Sequence, residues 1–407
     1  MISPKVVLLR DVLEEHLEEL PFLWQLRRDA VRSPERTRSD VDRLDERVRA
    51  HADGLLVARG ELGEVVGPLL MSDDPPAAFA AAFVLLRTGE EGARAVLDAL
   101  RAAGPGGREG LAEALAFGET RYAREELASL AGSDDPSLAV AAATALALGR
   151  GAAAPDVTRL LGESDPAVRA AAWRLVPFQA RAPRPELLRK GLDDPDPGVV
   201  REAAEAAAWF RSPLALEASR ERSAGTGEGA GEWLRLLAVL AEEGDVPGVL
   251  AGSAKGTAAG RGASGPRALG ALGHPRAVEL LIEAMGDEDP ARAAAAGAAF
   301  RKVTGFDASG ESRVALRPDG PPPDDFDEEF LDEVTLPDAP QARAFWASAR
   351  GKLAGGKRWC YGVDVGAGVP AALPAAFDME SCFEVRLRGR FTGTFTGDAG
   401  ELLRMAP

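Results

Sequence analysis

The feature that most constrains the fold of this chain is an acidic turn that recurs along it at regular spacing. A turn ending in Asp-Pro occurs at Asp74-Pro75, Asp135-Pro136, Asp165-Pro166, Asp196-Pro197 and Asp289-Pro290. Successive prolines are 61, 30, 31 and 93 residues apart, close to whole multiples of a unit of about 31 residues. The unmarked units should begin near residues 105, 228 and 259, where glycine-rich turns stand. The register predicts about eight units over residues 71–305.

Each Asp-Pro pair is typical of a helix start. The aspartate side chain accepts hydrogen bonds from backbone N–H groups, and proline suits the first turn because its missing N–H is not needed there. Alanine stands six residues after each of these prolines, at Ala81, Ala142, Ala172, Ala203 and Ala296. Such a small residue lets neighbouring helices approach closely, and the 77 alanines against 23 aromatic residues favour helices over sheets. With a second, shorter amphipathic segment between units, the pattern predicts an α-solenoid.

One unit carries a distinctive repeat core. The run Asp-Pro-Ala-Val-Arg-Ala-Ala-Ala-Trp at residues 165–173 resembles the short HEAT-like repeat of the bilin-lyase type. Residues 16–28, 44–55 and 303–307 resemble the flanks of a bacterial HEAT-repeat family whose members are often encoded near type VI secretion genes. The resemblance implies an all-α, HEAT-like α-solenoid. It also implies a scaffold or adaptor that serves type VI secretion, in assembly or in effector loading.

The region before the array, residues 1–70, predicts a helical hairpin cap in which Ser33-Pro34 separates two amphipathic helices and Pro21 kinks or interrupts the first. Two interpretations of its polar and aromatic residues stay open. In the first, they form a recognition surface. In the second, Trp24 and His51 belong to the core, and the acids and arginines pair across the hairpin. The residues concerned are His16, Glu19, Trp24, Arg28, Asp45, Arg49 and His51.

Composition changes after Gly305. Residues 306–338 predict a linker, because they contain three consecutive prolines and a run of seven acids within residues 324–333. An acidic-aromatic arm that binds a basic groove is the alternative for this run. Residues 339–407 predict a small C-terminal region of mixed structure, with a helix at 340–353 and a strand at 383–396, where Phe383, Val385 and Leu387 alternate with polar residues. Cys360 and Cys382 predict buried thiols rather than a zinc site or a disulfide framework.

The formal charge of −16 argues against a nucleic-acid binder and favours a protein partner with a basic surface. Part of this charge recurs in the acidic turns, which should line up as an acidic ridge on one edge of a solenoid. Capping explains one acid of each turn and leaves a surplus acid, as in Asp73 beside Asp74. The capping or ridge residues are Asp74, Asp135, Asp165, Asp196 and Asp289.

Catalytic patterns are scarce in the sequence. It has three histidines, and His274 stands in a Gly-His-Pro turn where it substitutes for a capping aspartate. Metal-binding, nucleophile-elbow and phosphate-loop motifs are missing, as are a secretory signal and an apolar run long enough to span a membrane. We therefore expect a cytoplasmic, non-enzymatic protein without metal or cofactor. The alternatives are a bilin-lyase-like ligand handler or another HEAT-based enzyme.

Overall fold

The computed structural model describes residues 10–118, 121–149, 154–227, 229–316, 331–353, 358–370 and 372–397. Most of these residues lie in α-helices, and the strands among them are short. This confirms the predicted all-α class. The chain divides into two compact units. The first includes the described residues up to Ala206 and Asp378–Glu380, and the second includes those from Ala207 to Phe377 and Ser381–Thr396.

The first unit opens with a helical hairpin of α1 (Arg10–Ala30) and α2 (Arg38–Leu55). Pro21, which the sequence predicts to kink or interrupt the first helix, does not interrupt it, since α1 continues as one helix through this residue. Proline inside a helix removes one backbone hydrogen bond and costs about 3 kcal/mol. Leu20 and Leu23, on either side of Pro21, are fully buried in the apolar core, and this packing offsets the cost.

The rest of the first unit is a series of helices, most of which begin at a proline. The helices are α3 (Leu62–Leu70), α4 (Pro75–Leu86), α5 (Glu90–Ala102), α6 (Pro105–Phe117), α7 (Arg124–Leu130), α8 (Pro136–Leu148), α9 (Pro166–Leu175), α10 (Pro185–Leu192) and α11 (Pro197–Trp209). Helix α4 packs on α6, α6 on α8 and α8 on α9. The alanines six residues after the repeat prolines, Ala81, Ala142, Ala172 and Ala203, are fully buried. They occupy the close helix contacts that the sequence pattern predicts.

The second unit continues with further helices. They are α12 (Pro213–Ser223), α13 (Ala230–Leu240), α14 (Val246–Gly252), α15 (Ser264–Leu272), α16 (Pro275–Ala284) and α17 (Pro290–Thr304). Helix α13 packs on α15, and α15 packs on α17. Ala296 in α17 is fully buried, like its counterparts in the first unit. Helices therefore pack in series in this unit too, although α13 and α15 do not begin at a proline.

The segment predicted as a linker, residues 306–338, has regular structure at both ends. Strand β1 (Ser309–Ala315) pairs with β2 (Glu333–Pro337) in antiparallel fashion, and Ala315 lies opposite Glu333. The linker prediction is wrong there, because two segments far apart in sequence satisfy each other's backbone hydrogen bonds, which composition does not reveal. Most of the acidic run and the proposed acidic-aromatic arm lies outside the described residues.

The C-terminal region packs on the helices of the second unit. Helix α18 (Ala339–Leu353) confirms the predicted helix and packs on α16. A short hairpin of β3 (Trp359–Cys360) and β4 (Val363–Asp364) follows, and the Trp359 amide donates to the carbonyl of Gly273. Gly273 has a φ of 60°, and a Cβ atom there would lie 2.4 Å from the Trp359 carbonyl oxygen. Only glycine fits this contact.

The last described element is a helix rather than the predicted strand. Helix α19 (Met379–Thr392) includes the alternating residues Phe383, Val385 and Leu387. It is buried on several sides, and its buried positions include the polar Ser381 and Glu384, so its apolar residues do not mark a single helical face. A short run of alternating apolar and polar residues therefore fits a strand as well as a helix that is buried on several sides. Cys360 and Cys382 are buried thiols, as predicted.

Candidate functional site

The predicted recognition residues of the hairpin fall into two groups. Trp24, Arg28, Asp45 and Arg49 lie around an aromatic and charged cluster where α1 and α2 meet α6. His16, Glu19 and His51 lie nearer the amino-terminal end of α1. Trp24 and Asp45 are each only 1% exposed. These two side chains are therefore part of the interior and offer no surface to a partner.

Trp24 anchors the first group. Its ring stacks on that of Phe79, with centroids 3.4 Å apart, and its Nε1–H donates to Glu113 Oε2 at 2.7 Å. Glu113 also forms an ion pair with Arg28 at 3.3 Å. Burial raises the pKa of the Glu113 carboxyl, an effect that the charge of Arg28 opposes. Sequence reasoning missed Glu113, since only the folded chain brings α6 beside α1.

A buried ion pair of Arg27 and Asp45 joins the two helices of the hairpin. Burial lowers the pKa of Arg27 and raises that of Asp45, and each partner's charge opposes the shift. The Arg27 guanidinium also lies 4.9 Å from the ring centroid of Phe117, and Arg49 lies 5.2 Å from the same ring. The ion pair therefore joins α1 to α2, and the cation–π contacts attach both helices to α6. Arg27 Nη1 and Asp45 Oδ2 are buried without a hydrogen-bond partner.

The second group centres on two histidines in contact. The Nδ1 atoms of His16 and His51 are 3.1 Å apart, and their rings meet edge to face. Burial, and then the charge of His16, lowers the pKa of His51. Gly54 makes room for the pair, because a Cβ atom there would lie 2.3 Å from His16 Nε2. Glu19 lies 3.7 Å from Arg47 across the hairpin.

The predicted capping aspartates do cap helices. Asp74, Asp135, Asp165, Asp196 and Asp289 each accept a backbone N–H bond, at 2.8–3.2 Å, from the first turn of the helix that follows. His274 does the same through Nδ1, which accepts from the Arg276 amide at 3.1 Å and confirms the predicted substitution. Each side chain satisfies a helix N–H that would otherwise lack a partner.

Three of the surplus acids also have partners within the chain. Asp73 Oδ1 accepts from the amides of Gly106 and Gly107 at the start of α6. Asp194 forms a two-bond ion pair with Arg169, each bond 2.8 Å long. Asp287 pairs with Lys255 at 3.0 Å. Since these carboxylates join neighbouring helices, they contribute less to a partner-binding ridge than the sequence suggests.

Acidic side chains also line the outer face of α1, where Asp29 accepts a hydrogen bond from Gln25 within the same helix. Residues three or four apart on a helix share a face. The exposed residues of this outer face are Asp11, Glu15, Glu18, Phe22, Gln25 and Asp29. Phe22, on this face, is 57% exposed. The face therefore combines four carboxylates with an apolar centre, on the side of α1 away from Leu20 and Trp24.

The described part of the chain contains neither a candidate membrane-spanning helix nor a candidate metal centre. None of its helices is both long and apolar enough to cross a membrane. It contains no group of three or more histidine, cysteine, aspartate or glutamate side chains placed to hold a metal ion. No protein-family model matches the sequence. No curated protein matches it significantly either, so its function is inferred from its own residues.

Proposed function

We propose that this protein is a non-enzymatic scaffold or adaptor with HEAT-like repeats, and that the outer face of α1, in the hairpin that precedes the repeats, binds a protein partner with a basic surface. The observation that carries the proposal is the outer face itself, where Asp11, Glu15, Glu18 and Asp29 share one side of the helix with the exposed Phe22. Type VI secretion, in assembly or effector loading, is the proposed setting and rests on the resemblance of the repeats and flanks alone.

Helix packing within each unit supports the solenoid part of the proposal. In the first unit, α4, α6 and α8 begin successive repeats and pack side by side. In the second unit, α13, α15 and α17 do the same. Repeats that bury their apolar faces against their neighbours are the defining property of a solenoid. Capping aspartates start three of these six helices, α4, α8 and α17.

The chemistry of the outer face supports a basic partner. Carboxylates attract lysine and arginine side chains over several ångströms and speed encounter, while an exposed aromatic ring supplies apolar contact area. Nearby acids in the N-terminal cluster are already engaged, Asp45 by Arg27 and Glu113 by Trp24 and Arg28. Those groups stabilise the hairpin, and the outer face is left for recognition.

Affinity capture from the native host, followed by mass spectrometry, tests the proposal. The bait is the full chain, compared with a Glu15→Lys/Glu18→Lys variant and a Phe22→Ala variant. The matched control is Glu61→Lys/Glu64→Lys, which reverses the same charge at exposed positions at the start of α3. We expect a basic protein that is captured by the wild type and the control and lost from both outer-face variants. Failure to recover any reproducible partner, or equal recovery by every bait, would contradict the proposal.

A further inference from the structure

The second unit contains a cavity of about 360 Å³ that the proposed function does not use. It lies between the start of α12, the end of α13 and the end of α19. Its lining includes the apolar residues Pro213, Leu216, Leu240 and Phe391. Arginines also line it. This size and this mixture of apolar walls with a few polar groups are typical of small-molecule sites.

Arg388 supplies one charge to the cavity. Its Nη1 donates to the carbonyls of Val239 and Ala241 at the end of α13, each at 2.9 Å. A guanidinium has five N–H donors, so these two bonds leave most of its fork unused. No carboxylate forms an ion pair with Arg388 in the part of the chain that the structure describes. Burial lowers the pKa of Arg388, and the negative charge of Glu242, which also lines the cavity, opposes this shift.

A second buried arginine lies behind the first. Arg358 is 6% exposed and donates to the carbonyls of Ala238, Leu272 and Ala241, so the two arginines share the Ala241 carbonyl. Burial, and then the charge of Arg388, lowers the pKa of Arg358 to about 9. The two positive guanidinium groups repel each other, and an anion beside Arg388 would reduce this repulsion. The part of the cavity next to Arg388 is therefore a favourable place for a negative charge.

Arg211 supplies another charge from an unusual backbone position. It follows the end of α11, where the Ser212 amide bonds to the Ala207 carbonyl and the Arg211 amide to that of Ala208. This is a Schellman motif, in which glycine is the usual residue at the position of Arg211. Arg211 has a φ of 60°, which strains a residue with a side chain. Strain of this kind is typical of functional positions.

The remaining charged groups of the lining largely offset one another. Arg220 is held by Asp245 through two bonds of 2.7 and 2.9 Å and lies 3.5 Å from Glu242. Glu217 is exposed at the rim and opposes an anion. Arg211 and Arg388 therefore remain as the cations that face the cavity without an ion-pair partner among the described residues.

We propose that this cavity binds a small organic anion, whose carboxylate or phosphate group is held by Arg211 and Arg388 while its apolar part lies against Leu216, Leu240 and Phe391. The guanidinium fork matches both kinds of head group, and charge-assisted bonds to it are strong. The site is independent of the outer face of α1, so either proposal can fail without the other.

Calorimetric titration of the full chain at low ionic strength tests the site, with benzoate and phenyl phosphate as probes. They carry the same ring with a carboxylate or a phosphate head group. Inorganic phosphate and benzyl alcohol serve as comparators that lack the ring or the charge. We expect one probe or both to bind with one-to-one stoichiometry, and each comparator to bind roughly tenfold more weakly or not at all. Lack of binding by both probes, or equal binding of inorganic phosphate, would overturn the proposal.

Variants locate the binding. Arg211→Gly should weaken probe binding roughly tenfold without lowering the melting temperature, because glycine relieves the strained φ while the charge is lost. Thr392→Trp, at the exposed rim, should fill the cavity and abolish binding with the arginines intact. Arg267→Gln, an exposed arginine of α15, is the matched control and should bind as the wild type does. Unchanged binding in both Arg211→Gly and Thr392→Trp would refute the site.

Discussion

Replacing Asp45 by alanine should strongly destabilise the first unit. Asp45 and Arg27 are each 1% exposed, and the substitution leaves the Arg27 guanidinium buried without its carboxylate. Removing one partner of a buried ion pair costs about 3–5 kcal/mol, because the remaining charge is uncompensated. The aromatic rings of Trp24 and Phe117 beside Arg27 offset a small part of this cost. Urea unfolding followed by far-UV circular dichroism measures the loss.

The double variant Arg27→Met/Asp45→Leu is the control for this reasoning. Arg27 Nη1 and Asp45 Oδ2 lack hydrogen-bond partners, so the wild-type pair does not recover its full cost of desolvation. Apolar residues of similar volume should therefore restore most of the stability that Asp45→Ala removes. A loss below about 1 kcal/mol in Asp45→Ala would refute the buried pair, since exposed ion pairs contribute that little.

Three further predictions concern caps and titrating groups, and urea unfolding measures each. Asp165→Ala should cost about 1 kcal/mol by removing a helix cap. Asp193→Ala, at an exposed acid in the next acidic turn, should cost less than about 0.5 kcal/mol, and equal losses would contradict the capping role. The hydrogen bond from Arg169 lowers the pKa of Asp194. The stabilisation by this ion pair is therefore present above the unfolded pKa of 3.8 and is lost as the pH falls below that value. Asp194→Asn should make the free energy of unfolding depend less on pH in the acid range, and an unchanged slope would count against the pair. Burial and then the charge of His16 lower the pKa of His51. The free energy of unfolding should therefore fall as the pH drops through 6.5, the pKa of histidine in the unfolded chain, and His51→Gln should reduce that fall. An identical fall in the variant would exclude this histidine as its source.

Local sequence signals predicted the parts of the structure that depend on local chemistry. An aspartate before a proline caps a helix wherever the chain starts one, and His274 takes the same role because its Nδ1 can accept the same bond. Alanine at the sixth position marks a close helix contact, as Ala142 and Ala172 show by their burial. These signals repeat, so each occurrence supports the others.

Features that depend on contacts between distant segments were missed or mistaken. Glu113 and Phe117 complete the cluster around Trp24 only because α6 packs beside α1. The Asp73 carboxylate accepts a hydrogen bond from the amide of Gly106, which is 33 residues away in the sequence, so no local pattern reveals this contact. The apolar alternation at Phe383 and Val385 belongs to a helix buried on several sides, so its sequence lacks the single apolar face that marks an amphipathic helix.

The affinity of the purified partner for the wild type and for Glu15→Lys/Glu18→Lys tests the proposed role of the outer face of α1 most directly. Reversing two exposed charges should weaken binding by roughly tenfold at low ionic strength, with a smaller effect at high ionic strength where the charges are screened. The Glu61→Lys/Glu64→Lys control should bind as the wild type does. Equal affinity of the wild type and the outer-face variant would contradict the proposal.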